Sequence, residues 1–225
     1  MPELVLVQGL GVSDYLLPAL AELGRITRAH LLDLPGLAGA GDPPHPLRLA
    51  GYAAAVTDWL AARATGPVLL AGHSAGTQIA ARVAAAGGAS GVRGLVLASP
   101  TIDPVARSWP RLCARFLRDG RHETAGLTRC HLPEWRRAGI RRLYRLTADT
   151  LADRLEATLA RVEVPVLVLR GTGDRLSTRR WARELATSAA PTGRYVELPG
   201  AHSFVWDHPD AWVAPVRHFA ASHVT

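Results

Sequence analysis

Val68-Leu69-Leu70-Ala71-Gly72-His73-Ser74-Ala75-Gly76 is the stretch that decides the fold. A short, unbroken apolar run reads as a strand buried on both faces, and the alanine-rich stretch Ala75 to Ala86 reads as the helix after it, stopping at Gly87-Gly88. Between them, Gly72-x-Ser74-x-Gly76 has the spacing of a nucleophile elbow. So tight a strand-to-helix turn strains the serine backbone, and the positions two residues either side cannot carry bulky side chains. The hydroxyl then stands at the top of the sheet, beside a helix N-terminus that favours developing negative charge. A plain glycine turn around a buried serine is the simpler alternative.

Similar apolar runs recur at Leu4-Val-Leu-Val, His30-Leu-Leu, Leu95-Val-Leu-Ala, Val166-Leu-Val-Leu and Tyr195-Val-Glu-Leu. Helical segments lie between or after them: Asp14 to Leu23 with Ser13 or Asp14 as cap, Leu47 to Ala64, Ser177 to Ala189 and Pro209 to Ala221. Alternating strands and helices specify an α/β fold with helices on both sheet faces. The alternation breaks between Ser99 and Val164, where no strand signal occurs and arginines and aromatics concentrate. Too long for a loop, this stretch reads as a helical lid over residues 102–162. Residues 1–101 and 163–225 then form the core domain.

A serine hydroxyl needs a base to take its proton, and the base needs a carboxylate to orient it. Asp174 ends Gly171-Thr-Gly-Asp after one strand, and His202 ends Gly200-Ala-His after the next. Both lie past strand C-terminal ends, where an open α/β sheet gathers its site. Asp103, just past the strand that ends at Ser99, is the alternative acid. His73 reads as a packing and hydrogen-bonding residue, and the other histidines as structural or surface groups.

With the order Ser74, Asp174, His202, the sequence resembles the α/β-hydrolases, of the lidded esterase, lactonase, thioesterase and C–C hydrolase kind. Leu32-Asp33-Leu34-Pro35-Gly36 with Gly41-Asp42-Pro43-Pro44, Val164-Pro165-Val166 through Asp174, and Pro199-Gly200-Ala201-His202-Ser203-Phe204 through His208-Pro209 also match the family's loops. Three positions depart from it. Gln8-Gly9 stands where the family has His-Gly, and Leu37 stands where a histidine is common. The chain also opens at the first parallel strand, where the family carries a hairpin, so a mostly parallel sheet of about six strands is expected.

The resemblance implies a serine hydrolase that cleaves an ester, lactone or thioester through an acyl-enzyme. The N–H groups of Leu10 and Ala75 would form its oxyanion hole, and Trp109, Phe116 and Trp135 are candidate substrate contacts from the lid. It implies no metal and no organic cofactor. The same scaffold also hosts acyltransferases, cyclases, lyases and ligand receptors. A different alternative is an NAD-binding oxidoreductase, since Gly9-Leu10-Gly11 follows a strand and Asp33 lies some twenty residues on. Asp14, at the third glycine position, would repel a pyrophosphate.

Composition narrows the partners. The 225 residues carry 26 arginines and no lysine, for a net charge of +7. Residues 102–162 hold 13 arginines against 7 acids, which is nearly all of the excess. Such a field favours an anionic partner: a small acyl substrate bearing a carboxylate or phosphate, or a thioester on an acidic carrier protein. No nucleic-acid motif accompanies it. No apolar run approaches the ~20 residues that span a bilayer, so no membrane association is expected. The start lacks a basic leader, and Cys113 and Cys130 lack disulfide or metal spacing; a cytoplasmic protein with free thiols is expected. Nothing in the sequence sets an oligomeric state.

Overall fold

The structure, a computed structural model, describes residues 1–37, 45–87, 91–189 and 193–224. The expected helix end at Gly88 and the Gly41–Pro44 part of the family-like loop lie outside the described residues.

Six strands form one parallel sheet: β1 (Glu3–Val7), β2 (Ala29–Leu32), β3 (Val68–His73), β4 (Val92–Ala98), β5 (Val166–Gly171) and β6 (Arg194–Leu198), in the order β2-β1-β3-β4-β5-β6. The chain runs outward from β1 to β2, then returns to build β3 on the other side. That reversal makes a topological switch point at the C-terminal ends of β1 and β3, the place where open α/β sheets hold their ligands. β3 and β5 are buried throughout, whereas the edge strands β2 and β6 are only partly covered, each having a neighbour on one side alone.

Alternate strand residues face two apolar cores. Val5, Val7, Leu70, Leu97 and Val168 meet α2 (Leu49–Arg63), α3 (Gly76–Ala85) and α8 (Arg179–Ser188). Leu4, Leu6, Leu69, Val96 and Leu167 meet α1 (Leu17–Gly24), α9 (Phe204–Asp207) and α10 (Val213–His223).

Ser13 and Asp14 do not cap α1. A 3-10 turn, Asp14–Leu16, comes first, and α1 begins at Leu17 with Pro18 in its first turn. The Ser13 hydroxyl is taken by a carboxylate from elsewhere, described below.

Residues 102–162 contain no strand. A 3-10 turn at Pro104–Ala106 precedes α4 (Trp109–Asp119), α5 (Ala125–Ala138), α6 (Ile140–Ala152) and α7 (Leu155–Leu159). These helices attach to the core unequally. Leu155 and Leu159 of α7 are part of the core beneath α3 and α8. On α6, Asp149 accepts from Arg48 at 2.8 Å, Arg142 donates to the Gly36 carbonyl at 2.7 Å, and the Thr150 carbonyl accepts from Gln78 at 3.0 Å. Of α4, only Asp119 is buried.

Candidate active site

Ser74 has φ +53°, in the left-handed region that non-glycine residues rarely enter. The turn leaves no choice at the flanking glycines. A Cβ on Gly72 would strike the Gly76 carbonyl, and one on Gly76 would strike the carbonyls of Val7 and Gln8. Ser74 N–H donates to Ala98 across the sheet at 2.9 Å, and Thr77 closes the turn by donating its own N–H to the Ser74 carbonyl at 3.0 Å.

The turns after β5 and β6 bring the other two residues to this hydroxyl. His202 Nε2 lies 2.8 Å from Ser74 Oγ, and His202 Nδ1 lies 3.0 Å from Asp174 Oδ2. Asp174 Oδ1 accepts the N–H groups of Leu176 and Ser177, both at 2.8 Å. Because Asp174 Oδ2 accepts a hydrogen bond from Nδ1–H, a neutral His202 presents a free Nε2 lone pair to the serine. Asp103 is engaged elsewhere: it accepts from Val105 N–H at 2.8 Å, Thr178 Oγ1 at 2.9 Å and Arg115 at 3.0 Å.

Two further donors hold the histidine backbone. Ser99 Oγ, on a residue at φ +49°, donates to the His202 carbonyl at 2.9 Å. His73 Nε2–H donates to the same carbonyl at 3.0 Å. A carbonyl only accepts, so His73 Nδ1 must be the acceptor of the Tyr15 hydroxyl at 2.6 Å. Burial drives the His73 pKa down to about 3, with His202 adding to the effect, so His73 is a neutral strut.

Burial alone would lower the His202 pKa. The Asp174 carboxylate outweighs it, Asp119 and Glu123 add to it, and the imidazole is pushed up to about 9. Burial works against ionisation of Asp174 too, yet the facing His202 and the Ser177 N–H hold its carboxyl below the usual range.

The loop after β1 is tied down from residues 102–162. Glu134, 1% exposed, accepts Ser13 N–H at 2.8 Å, Ser13 Oγ at 3.0 Å and Asp14 N–H at 3.1 Å. Trp135 Nε1 donates to the Leu10 carbonyl at 2.9 Å. Glu134 thus takes the N–H groups at the start of this helical turn, which the dinucleotide reading would have needed for a pyrophosphate. Gln8, where the family has histidine, is buried and accepts from Leu34 N–H at 3.3 Å.

Of the aromatic candidates, Trp135 packs at the Leu10 loop, with Phe116 6.3 Å from it ring to ring. Trp109 is partly exposed and stacks on Tyr144 at 4.9 Å. Sequence reasoning gave no role to Arg170, Asp119 or Glu123, and read His131 as a structural or surface group. Arg170, buried on β5, braces the acid turn by donating to the carbonyls of Asp174 and Ser177, both at 2.7 Å. His131 on α5 packs against Tyr15 and Trp135, with ring centroids 5.0 Å from each. No motif marks these four residues; Arg170 lies on the strand that leads into the Asp174 turn, whereas Asp119, Glu123 and His131 are brought to the site by tertiary packing.

Comparison with known proteins points the same way. Residues 4–216 match the model of the alpha/beta hydrolase family. A hydrolase from Pseudomonas aeruginosa PA01 is 25% identical with a TM-score of 0.75, covering 98% of this chain and 90% of that one. The enol-lactonase from Burkholderia xenovorans LB400 is 23% identical with a TM-score of 0.73, covering 98% and 92%. The E-2-(acetamidomethylene)succinate hydrolase is 18% identical with a TM-score of 0.78, again covering 98% and 92%. A family match over nearly the whole length, on a fold shared with solved hydrolases, makes this chain a member of the alpha/beta hydrolase family.

Proposed function

We propose that this protein is a serine hydrolase that cleaves an ester, lactone or thioester through an acyl-enzyme. One observation carries the reading: the continuous chain from Ser74 Oγ to His202 Nε2 at 2.8 Å and from His202 Nδ1 to Asp174 at 3.0 Å. Ser74 Oγ attacks the carbonyl carbon as His202 Nε2 takes its proton. The tetrahedral oxyanion lies against the N–H groups of Leu10 and Ala75. Collapse expels the leaving group, which takes the proton back from His202. Water, deprotonated by the same imidazole, then releases the acid and restores the serine.

The charge layout supports an anionic acyl substrate, free or on an acidic carrier. The acids of residues 102–162 turn inward: Asp103 to Arg115, Asp149 to Arg48, Asp153 to Arg82 and Glu156 to Arg107, with Asp119, Glu123 and Glu134 on backbone N–H groups. Arg118, Arg121, Arg129, Arg136, Arg141 and Arg145 remain exposed, so the outer face is positive.

The test is a screen of p-nitrophenyl esters, lactones and acyl thioesters with the unsubstituted protein and Ser74→Ala side by side. An enol-lactonase shares the fold, so lactones belong in the first set. Turnover that survives Ser74→Ala would favour a non-hydrolytic reaction on the same scaffold. A carrier-bound substrate is indicated by turnover that falls between low and moderate salt, while free thioesters are unaffected.

A further inference from the structure

The turns that carry His202 and Asp174 are each held by a carboxyl from residues 102–162. Asp119, the last residue of α4, accepts the N–H of Arg175 at 2.8 Å. Glu123, in the turn before α5, accepts the N–H of Ser203 at 2.7 Å. Arg175 and Ser203 directly follow Asp174 and His202. The same turn is fastened to α9 through Thr124, which donates to Asp207 and accepts from Trp206 Nε1, both at 3.2 Å. Carboxylate-to-amide bonds of this length are charge-assisted and directional. A segment serving only as a cover has no need to grip the backbone beside two triad residues.

We propose that Asp119 and Glu123 are positioning residues of the triad, fixing the turns that carry Asp174 and His202 and stabilising the imidazolium formed when Ser74 gives up its proton. The proposal rests on the serine-hydrolase reading above. Five titratable groups from four parts of the chain face His202. Asp174 comes from the turn after β5, and Asp119 and Glu123 come from the α4–α5 segment. His73 comes from β3 and His131 from α5; burial keeps both neutral, at about 3 and about 4. The charges that act most strongly on the imidazole, those of Asp174, Asp119 and Glu123, are therefore negative. Burial, aided by nearby Asp119, pushes Glu123 itself up to about 7. Its carboxylate is complete only on the alkaline side of neutrality, where His202 gives up its own proton.

The experiment measures the rate at which a fluorophosphonate labels Ser74 across pH, for the unsubstituted protein, Glu123→Gln and Asp119→Asn. Labelling requires neutral His202, so its acid limb reports the imidazole without any knowledge of the substrate. The limb of the unsubstituted protein is expected near pH 9 and should move down by about one unit in each variant. Glu123→Ala, which also loses the acceptor for Ser203 N–H, should in addition lower the high-pH plateau by about tenfold. Limbs that superimpose on the unsubstituted protein's overturn the proposal. A protein that labels at no pH overturns the serine-nucleophile reading instead, and the proposal with it. Should the variants not fold, the Glu123 carboxyl and the His202 imidazole are titrated by NMR in the unsubstituted protein: a Glu123 resonance that shifts again at the His202 midpoint supports the proposal, and two titrations independent of one another overturn it.

Discussion

The elbow after β3 and the turn between α4 and α5 both deliver chemistry to the same imidazole, by opposite routes. In the elbow everything is local: a buried strand, two glycines that carbonyls would otherwise strike, and a serine forced to φ +53°. In the α4–α5 turn the carboxyl contacts are long-range: Glu123 meets Ser203 across 80 residues of sequence and Asp119 meets Arg175 across 56, while further along α5 Glu134 reaches Ser13 across 121. The turn at Ser74 is built by steric rules, whereas the charge around His202 is assembled by tertiary packing. The two regions should accordingly fail differently when altered.

The largest effect belongs to the elbow. Ser74→Ala should lower turnover by at least about 10³-fold with the thermal transition preserved, since the loss is chemical rather than structural. Circular dichroism alongside the rate assay checks both halves.

Arg170→Ala should be the most destabilising change in this set. It leaves Glu197 without its buried partner and three carbonyls without a donor, those of Thr172, Asp174 and Ser177. A loss of about 3–5 kcal/mol is expected by denaturant unfolding.

pH should separate activity from stability. Because the folded pKa of His202 is raised to about 9, its ion pair with Asp174 contributes full stability below the unfolded value of about 6.5 and loses it as pH climbs through 9. Activity needs the neutral imidazole and so rises over the same interval. Chemical denaturation and kcat/KM measured between pH 6 and 10 should therefore run in opposite directions over roughly that span.

Trp135→Phe should cost less. It keeps the ring and removes only the donor to the Leu10 carbonyl, so kcat should fall about tenfold with KM little changed. The smallest effect belongs to the outer surface of residues 102–162. Ile140, 80% exposed, and Tyr144, 57% exposed, line a surface cavity of about 310 Å³ with Arg141 and Arg145. Ile140→Ser should change stability by less than about 0.5 kcal/mol and leave hydrolysis of small esters unchanged.

The sequence made the core legible because its rules act within a few residues. Short, mostly apolar runs located all six strands, and the glycine spacing located Ser74. The turn sequences around Asp174 and His202 located two residues that the fold brings to it. Ser13 shows where local rules stop: its hydroxyl suits a helix cap, but Glu134, buried on a helix distant in sequence, takes both the hydroxyl and the N–H. Asp103 and Asp174 both follow strands of the sheet, and only folding engages the first with Arg115 and Thr178 and points the second at His202. For the same reason, the sequence around His202 carries no sign of an imidazole shifted from the ordinary value of about 6.5. Of the carboxyls from residues 102–162 that move it, Asp119 ends α4 and Glu123 lies in the turn that follows, and the pattern there says only that the flanking segments are helical and basic.

Mass spectrometry after fluorophosphonate treatment shows whether the Ser74 hydroxyl is the nucleophile. One adduct is expected, on the peptide containing Ser74, absent from the Ser74→Ala protein and formed faster as pH rises toward 9. A folded, active protein that carries no adduct there, or carries it on another residue, would contradict that role for Ser74.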